Sequence, residues 1–221
     1  IPVWRLLQED FELLLVNPYF IKQLPGRKSD VKDAQWIAEC LSKKLIHGSY
    51  VPSQHIQELR QYERRYVHLC EAVLRCEQEI DRLLHRCNIR ITNFTSKIGS
   101  ASVIKVVRSI ASGVTSAEEL TKCVHGRIRN KHKEAIVASL TGCISEVDIF
   151  LFNQQLMLWD MFTEQQKACQ KQMEDLCQKY YKEELALLIT IPGIQKLSAM
   201  TIIAELGVDM KILYGDTITI L

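Results

Sequence analysis

At 221 residues, with 47% hydrophobic and 24% charged side chains, the chain has an ordinary globular composition for one or two domains, which excludes disorder throughout. A formal net charge of +2 is too small to indicate nucleic acid by itself, so any such partner has to be argued from local clusters. The eight cysteines show no C-x-x-C spacing and read as reduced core thiols of a cytoplasmic protein, against zinc and against a disulfide framework; no apolar run approaches the roughly 20 residues of a membrane span, and no signal peptide opens the chain.

Ile1 to Leu7 is a short apolar segment around Trp4, and Phe11 to Val16 is a dense apolar run that closes in Asn17-Pro18, which predicts a buried strand. Pro25-Gly26-Arg27-Lys28 is a basic turn, and Ser29 is an N-cap for a helix from Asp30 to Leu41 with Val31, Ala34, Ile37, Ala38 and Leu41 on its apolar side. Asp30 and Asp33 share one face of its first turn. The pair reads either as dipole compensation on a solvated surface or as part of a divalent-cation site. Magnesium is the candidate ion, because it takes one or two carboxylates and fills its shell with water or phosphate oxygens. Gly48 to Pro52 is a second short extended piece. A parallel strand feeding the Asp30 helix would set the Gly26 loop at the strand's carboxyl end, where sites on open α/β sheets collect.

From Ser53 the period becomes helical: Ile56, Leu59, Tyr62, Tyr66, Leu69, Val73, Cys76, Ile80, Leu83 and Cys87 recur at steps of three and four. The pattern predicts a helix of roughly 50 Å with a heptad seam and charge-balanced flanks. Residues 89–143 break into short helices, the clearest at Ser102 to Ser112 and Ser116 to Val124. Lys122, Arg127, Arg129, Lys131 and Lys133, with His125 and His132, form the strongest basic cluster and include no acid; a solvated tip and a phosphate contact are the two readings. A second long helix is predicted from Ser145 to Leu188, with Val147, Leu151, Leu158, Met161, Ala168, Leu176 and Tyr180 as its seam and Gln154, Gln165 and Gln172 interrupting it. Two such helices around an insertion fold back as an antiparallel hairpin, or else pair between subunits. Ile191 to Gly207 reads as a helix-hairpin-helix turn, in which Gly193 permits the tight turn and Lys196 supplies a charge where a small residue is usual.

The run LLLVNPYFIKQLPGRKSDVKDAQWIAE followed by GSYVP resembles the DEDD domain of the insertion-sequence 110 family of transposases, and the resemblance continues to Thr190-Ile191-Pro192-Gly193-Ile194, Ala204-Glu205-Leu206-Gly207 and Asp209-Met210. It implies a ribonuclease-H-like, resolvase-like fold whose four acidic residues bind Mg2+, with Asp30 and Asp33 as the catalytic and metal-binding last two. It also implies a serine nucleophile farther on and a structured guide RNA that bridges donor and target DNA. The other two acids and the serine region find no counterpart here, so the chain is expected to be an inactive fragment of such a transposase. The competing class is a non-catalytic helical protein that binds nucleic acid or pairs through a coiled coil. The expected architecture is α/β plus mostly α: part of the DEDD domain over 1–52, a helical coiled-coil region over 53–188, and the start of a C-terminal domain over 189–221. The expected partners are DNA, structured RNA and a second subunit through the coiled coil, with no membrane. Nucleic-acid contacts are assigned to Arg27, Lys28, Lys122, Arg127, Arg129, Lys131, Lys133, Gly193 and Lys196.

Overall fold

The computed structural model describes residues 2–19, 30–46 and 48–208. In chain order its helices are α1 (Pro2–Leu7), α2 (Asp30–Ser42), α3 (Gln54–Arg86), α4 (Ala101–Ala111), α5 (Ala117–Lys122), α6 (Gly126–Lys131), α7 (Lys133–Leu140), α8 (Glu146–Tyr180), α9 (Lys182–Ile189) and α10 (Lys196–Leu206), with a 3-10 turn at Ile91–Phe94.

The heptad spacing after Ser53 determines the architecture. Its positions Ile56, Leu59, Leu69, Cys76 and Ile80 are buried, as is Leu84, and they pack α3 against α8. The two helices run antiparallel, because the contacts pair rising numbers on α3 with falling numbers on α8. Ser53 meets Tyr181 at 3.3 Å, Cys70 accepts from Gln166 at 2.9 Å, and Glu77 accepts from Trp159 at 3.3 Å. Each aliphatic side chain so buried stabilises the pair by about 2 kcal/mol relative to exposure. At the Cys87 end Ile80, Leu84, Ile89, Ile91, Phe152 and Leu156 form one core with α4, α5 and α7. At the Ser53 end Ile56, Leu59, Met173 and Cys177 form another with α9 and α10.

Local signals fix where these helices stop. Asn88 adopts a left-handed φ of 61°, and the bonds Ile89 N to Leu84 O and Asn88 N to His85 O close the end of α3 as a Schellman turn. The loop returning to α8 passes so close that a Cβ on Gly142 would lie 2.2 Å from the Cys87 carbonyl oxygen, so only glycine fits there. Ser145 and Asp148 form a capping box at the start of α8. Asp148 also takes the Arg86 guanidinium, with Nε at 2.9 Å, and so ties the end of α3 to the start of α8. Tyr181, buried and bonded to Ser53, separates α8 from α9, where one continuous helix was expected.

Two expectations are corrected. Among the described residues there is no strand, so the α/β, partly ribonuclease-H-like architecture of the N-terminal region is replaced by an all-helical one. Residues 12–17 and 48–53 are irregular and touch through one backbone bond, Ser49 N to Leu15 O at 2.6 Å. A single bond makes no ladder, and Phe11, Leu14 and Leu15 remain exposed rather than buried on two faces. On α2 the expected apolar side is likewise open at Ala34, Ile37, Ala38 and Leu41, while Cys40 is buried. The second correction concerns α8: Val147, Leu158, Met161, Ala168 and Tyr180, expected in its seam, are exposed, and the seam facing α3 is Phe152, Leu156, Cys169, Met173 and Cys177. The helix carries two apolar stripes, and periodicity alone locates a stripe without saying which one meets α3.

Leu59 and Ile80 are wholly buried, so Leu59→Asp or Ile80→Asp is expected to destabilise the chain by about 4 kcal/mol or more, read as loss of helical circular dichroism and a collapsed urea midpoint. Burial alone would raise the Asp148 carboxyl, but hydrogen bonds from Ser145 and Arg86 outweigh it and bring it to about 2, below its ordinary 3.8. Its contribution is therefore present above the ordinary carboxylate range and is lost as pH falls toward 2. Arg86 is half exposed, so solvent screening holds that contribution to roughly 1 to 2 kcal/mol. In urea titrations Asp148→Asn is expected to lose this amount at neutral pH and to converge with the parent chain near pH 2.

Candidate nucleic-acid interface

The segment between α5 and α7 is pinned from inside and charged outside. Leu120, Val124, Ile136 and Leu140 are buried in the core at the Cys87 end of the helix pair. The turn between α5 and α6 is held where the His125 amide donates to Ser102 Oγ at 3.1 Å, and His125 Nδ1 accepts from the Arg127 amide at 3.3 Å and caps α6. The apolar anchors leave Lys122, Arg127, Lys131 and Lys133 exposed and Arg129 half exposed. His132 is exposed beside Phe94, their ring centres 5.8 Å apart.

None of these five cations makes an ion pair among the described residues, in contrast to α3, where Arg75 meets Glu71, Arg82 meets Glu79 and Arg86 meets Asp148. That difference decides between the two surfaces. Paired arginines present little net field to a polyanion, whereas five unpaired cations within twelve residues offer a phosphate backbone a concentrated positive field.

The turn between α9 and α10 is built as the sequence implied, with Gly193 at φ 89° and nothing within 4 Å of the position a Cβ would take. No side chain caps α10 at Gln195, so amides of its first turn point out without a side-chain acceptor. Lys196, however, is committed elsewhere: its ammonium binds Glu174 at 2.7 Å, and this bond, with a second from Gln170, holds the Glu174 carboxyl below its ordinary range. Glu174 lies 22 residues before Lys196, and no local spacing rule reveals that pairing.

Asp30 and Asp33 stand in the first turn of α2, three residues apart on one face, with their side chains outside the described part of the structure. Arg27 and Lys28 lie outside the described residues. The basic segment and the Gly193 turn do not come together: they sit at opposite ends of an α3–α8 pair about 50 Å long. Burial pushes the Cys87 and Cys177 thiols up to about 11, so both stay protonated at neutral pH.

Residues 1–89 match the family model of the insertion-sequence 110 DEDD domain, described as a transposase. That segment, less than half of the chain, is similar to a DEDD transposase domain. No curated protein and no solved structure matches the chain. The transposase segment takes in α1, α2 and α3 and ends just past the Asn88 turn, so Asp30 and Asp33 fall inside it and the basic segment on α5 to α7 outside it. The DEDD transposases that this model describes act on DNA and generally use a divalent metal. Among the described residues no group of three or more His, Cys, Asp or Glu side chains is placed to hold a metal ion. No described helix is long and apolar enough to cross a membrane.

The double variant Lys131→Glu with Lys133→Glu is expected to lower the slope of log binding constant against log salt by about two, because two phosphate contacts disappear. Titrations with duplex DNA at several salt concentrations read the slope. Thermal unfolding is expected to be unchanged, since both side chains are exposed.

Proposed function

We propose that this chain serves DNA transposition as the metal-holding and backbone-gripping part of an insertion-sequence 110 type recombinase. The observation that carries the reading is the match of residues 1–89 to the DEDD transposase family, with two aspartates at one-turn spacing inside it. Two carboxylates at the positive end of a helix are hard oxygen donors of the kind magnesium takes, and they fit it as a partial ligand set. When bound, the ion supplies stabilisation of charge on a reacting phosphate. Asp30 and Asp33 would hold it together with further oxygen donors. The unpaired cations of α5 to α7 support contact with the sugar-phosphate backbone of DNA or of a structured guide RNA. Contacts to phosphates position a nucleic acid and carry no sequence information of their own.

A second reading follows from the same cations: taken alone, the chain is a nucleic-acid-binding module that does not cut. The two readings separate in one comparison. In the transposase bearing this segment, Asp30→Asn is expected to abolish magnesium-dependent DNA cleavage while changing stability by less than about 1 kcal/mol. Cleavage retained by that variant would remove the α2 pair from the active site. Plasmid nicked by the purified chain with magnesium would contradict the binding-module reading.

A further inference from the structure

The fold brings together two cysteines that flank the insertion between α3 and α8. Cys87 is the C-cap of α3, and Cys143 stands in the irregular segment just before the Ser145 cap of α8. Two backbone bonds lay residues 87–90 antiparallel to residues 139–143: the Cys143 amide donates to the Cys87 carbonyl at 3.0 Å, and the Arg90 amide donates to the Ser139 carbonyl at 2.7 Å. A residue pair joined by such a bond has its Cα atoms roughly 5–6 Å apart. That separation lies inside the range of roughly 4.4–6.8 Å that a disulfide spans. Gly142 permits the approach, since a side chain there would collide with the Cys87 carbonyl.

The two thiols differ in the way an oxidisable pair requires. Cys143 is exposed and meets a small oxidant from solvent, whereas Cys87 is buried and meets only its neighbours. Burial, then the Asp148 carboxylate, and last Cys143 itself push the Cys87 thiol up to about 11 against the opposing pull of Arg86, so the two sulfurs lie within electrostatic reach of each other. The remaining cysteines are placed differently. Cys70 accepts from Gln166 at 2.9 Å and Cys169 donates to the Tyr62 carbonyl at 3.1 Å, so both sulfurs in the α3–α8 seam are committed to other partners, and Cys123 is bonded to Ser109. Cys40, Cys76 and Cys177 are buried.

We propose that Cys87 and Cys143 form a dithiol site that a hydroperoxide oxidises to a disulfide, with Cys143 as the entering sulfur and Cys87 as the resolving one. The Cys143 thiolate attacks a peroxide oxygen, the O–O bond breaks, and the departing hydroxide takes up a proton as water, which leaves Cys143 as a sulfenic acid. The Cys87 sulfur then attacks the Cys143 sulfur, the S–O bond breaks, and the Cys87 proton leaves with the hydroxide as a second water. The two thiols lose two electrons between them and the peroxide gains two. The new bond closes residues 88–142, and with them the basic segment, into a covalent loop; none of this depends on the transposition reading.

Peroxide treatment of the fully reduced chain, followed by blocking with N-ethylmaleimide and peptide mapping by mass spectrometry without reductant, tests the site. The Cys87 peptide is expected joined to the Cys143 peptide, lighter by two hydrogens, at least about tenfold above any other cysteine pair. Helical circular dichroism should be unchanged and dithiothreitol should restore both thiols. Dimedone added with the peroxide is expected to label Cys143 and to lower the disulfide yield. Cys143→Ser, at an exposed position, is expected to fold as the parent does and to leave Cys87 reduced at the same peroxide dose. Cys143 recovered without any link to Cys87, Cys87 joined to another cysteine, or Cys87 oxidised as fast in Cys143→Ser as in the parent overturns the inference.

Discussion

The packing of α3 against α8 is the constraint on which the rest of the described structure depends. A seam of buried side chains at heptad spacing holds the two helices together over some 30 residues, and that contact is apolar and long enough to tolerate sliding by a turn. Polar groups at the ends forbid it. Arg86 on Asp148, itself locked into the Ser145 cap, fixes the register at one end, and Ser53 on Tyr181 fixes it at the other. Arg60 adds a third tie by donating to the carbonyls of Ala204 and Glu205 at 2.6 and 2.8 Å, which satisfies the end of α10 and clamps it to α3. Each tie also satisfies polar atoms that the helix ends leave open, so register and hydrogen bonding are solved together.

From that scaffold the charge distribution follows. On α3, Arg75 and Arg82 are drawn into pairs with Glu71 and Glu79 one turn away, whereas the cations from Lys122 to Lys133 make no ion pair among the described residues. The cores at the two ends of the helix pair then hold the basic segment and the Gly193 turn far apart. If both touch nucleic acid, they touch different stretches of it, separated by a length comparable to a turn and a half of duplex. Such spacing suits a protein that positions a long or folded nucleic acid more than one that closes around a short site.

What could be read from the sequence divides along the same lines. Local chemistry was legible: the period of α3, the start of α8 at Ser145, the need for Gly193, and the basic run from Lys122 to Lys133. Long-range choices were not. Nothing local distinguishes the Phe152 stripe of α8 from the Val147 stripe, because both have helical spacing; the Phe152 stripe is the one packed with the buried side chains of α3, which are remote in sequence. Lys196 looked free because Glu174 lies six turns back on another helix. The apolar run at Phe11 to Val16 has strand composition, yet a strand exists only with neighbours to pair with, and one bond to Ser49 does not make a sheet. In every miss the residue type was informative and its partner was not.

The central claim, that the unpaired cations of α5 to α7 are the surface this chain presents to nucleic acid, is most directly tested by lysine acylation footprinting of the full chain with and without duplex DNA, read by mass spectrometry. The account predicts that Lys122, Lys131 and Lys133 lose reactivity when DNA is added, while Lys43, paired with Glu39 near the end of α2, and Lys196, paired with Glu174, are unaffected. Protection spread evenly over all lysines, or concentrated at Lys196 with the α5 to α7 lysines still reactive, would contradict it.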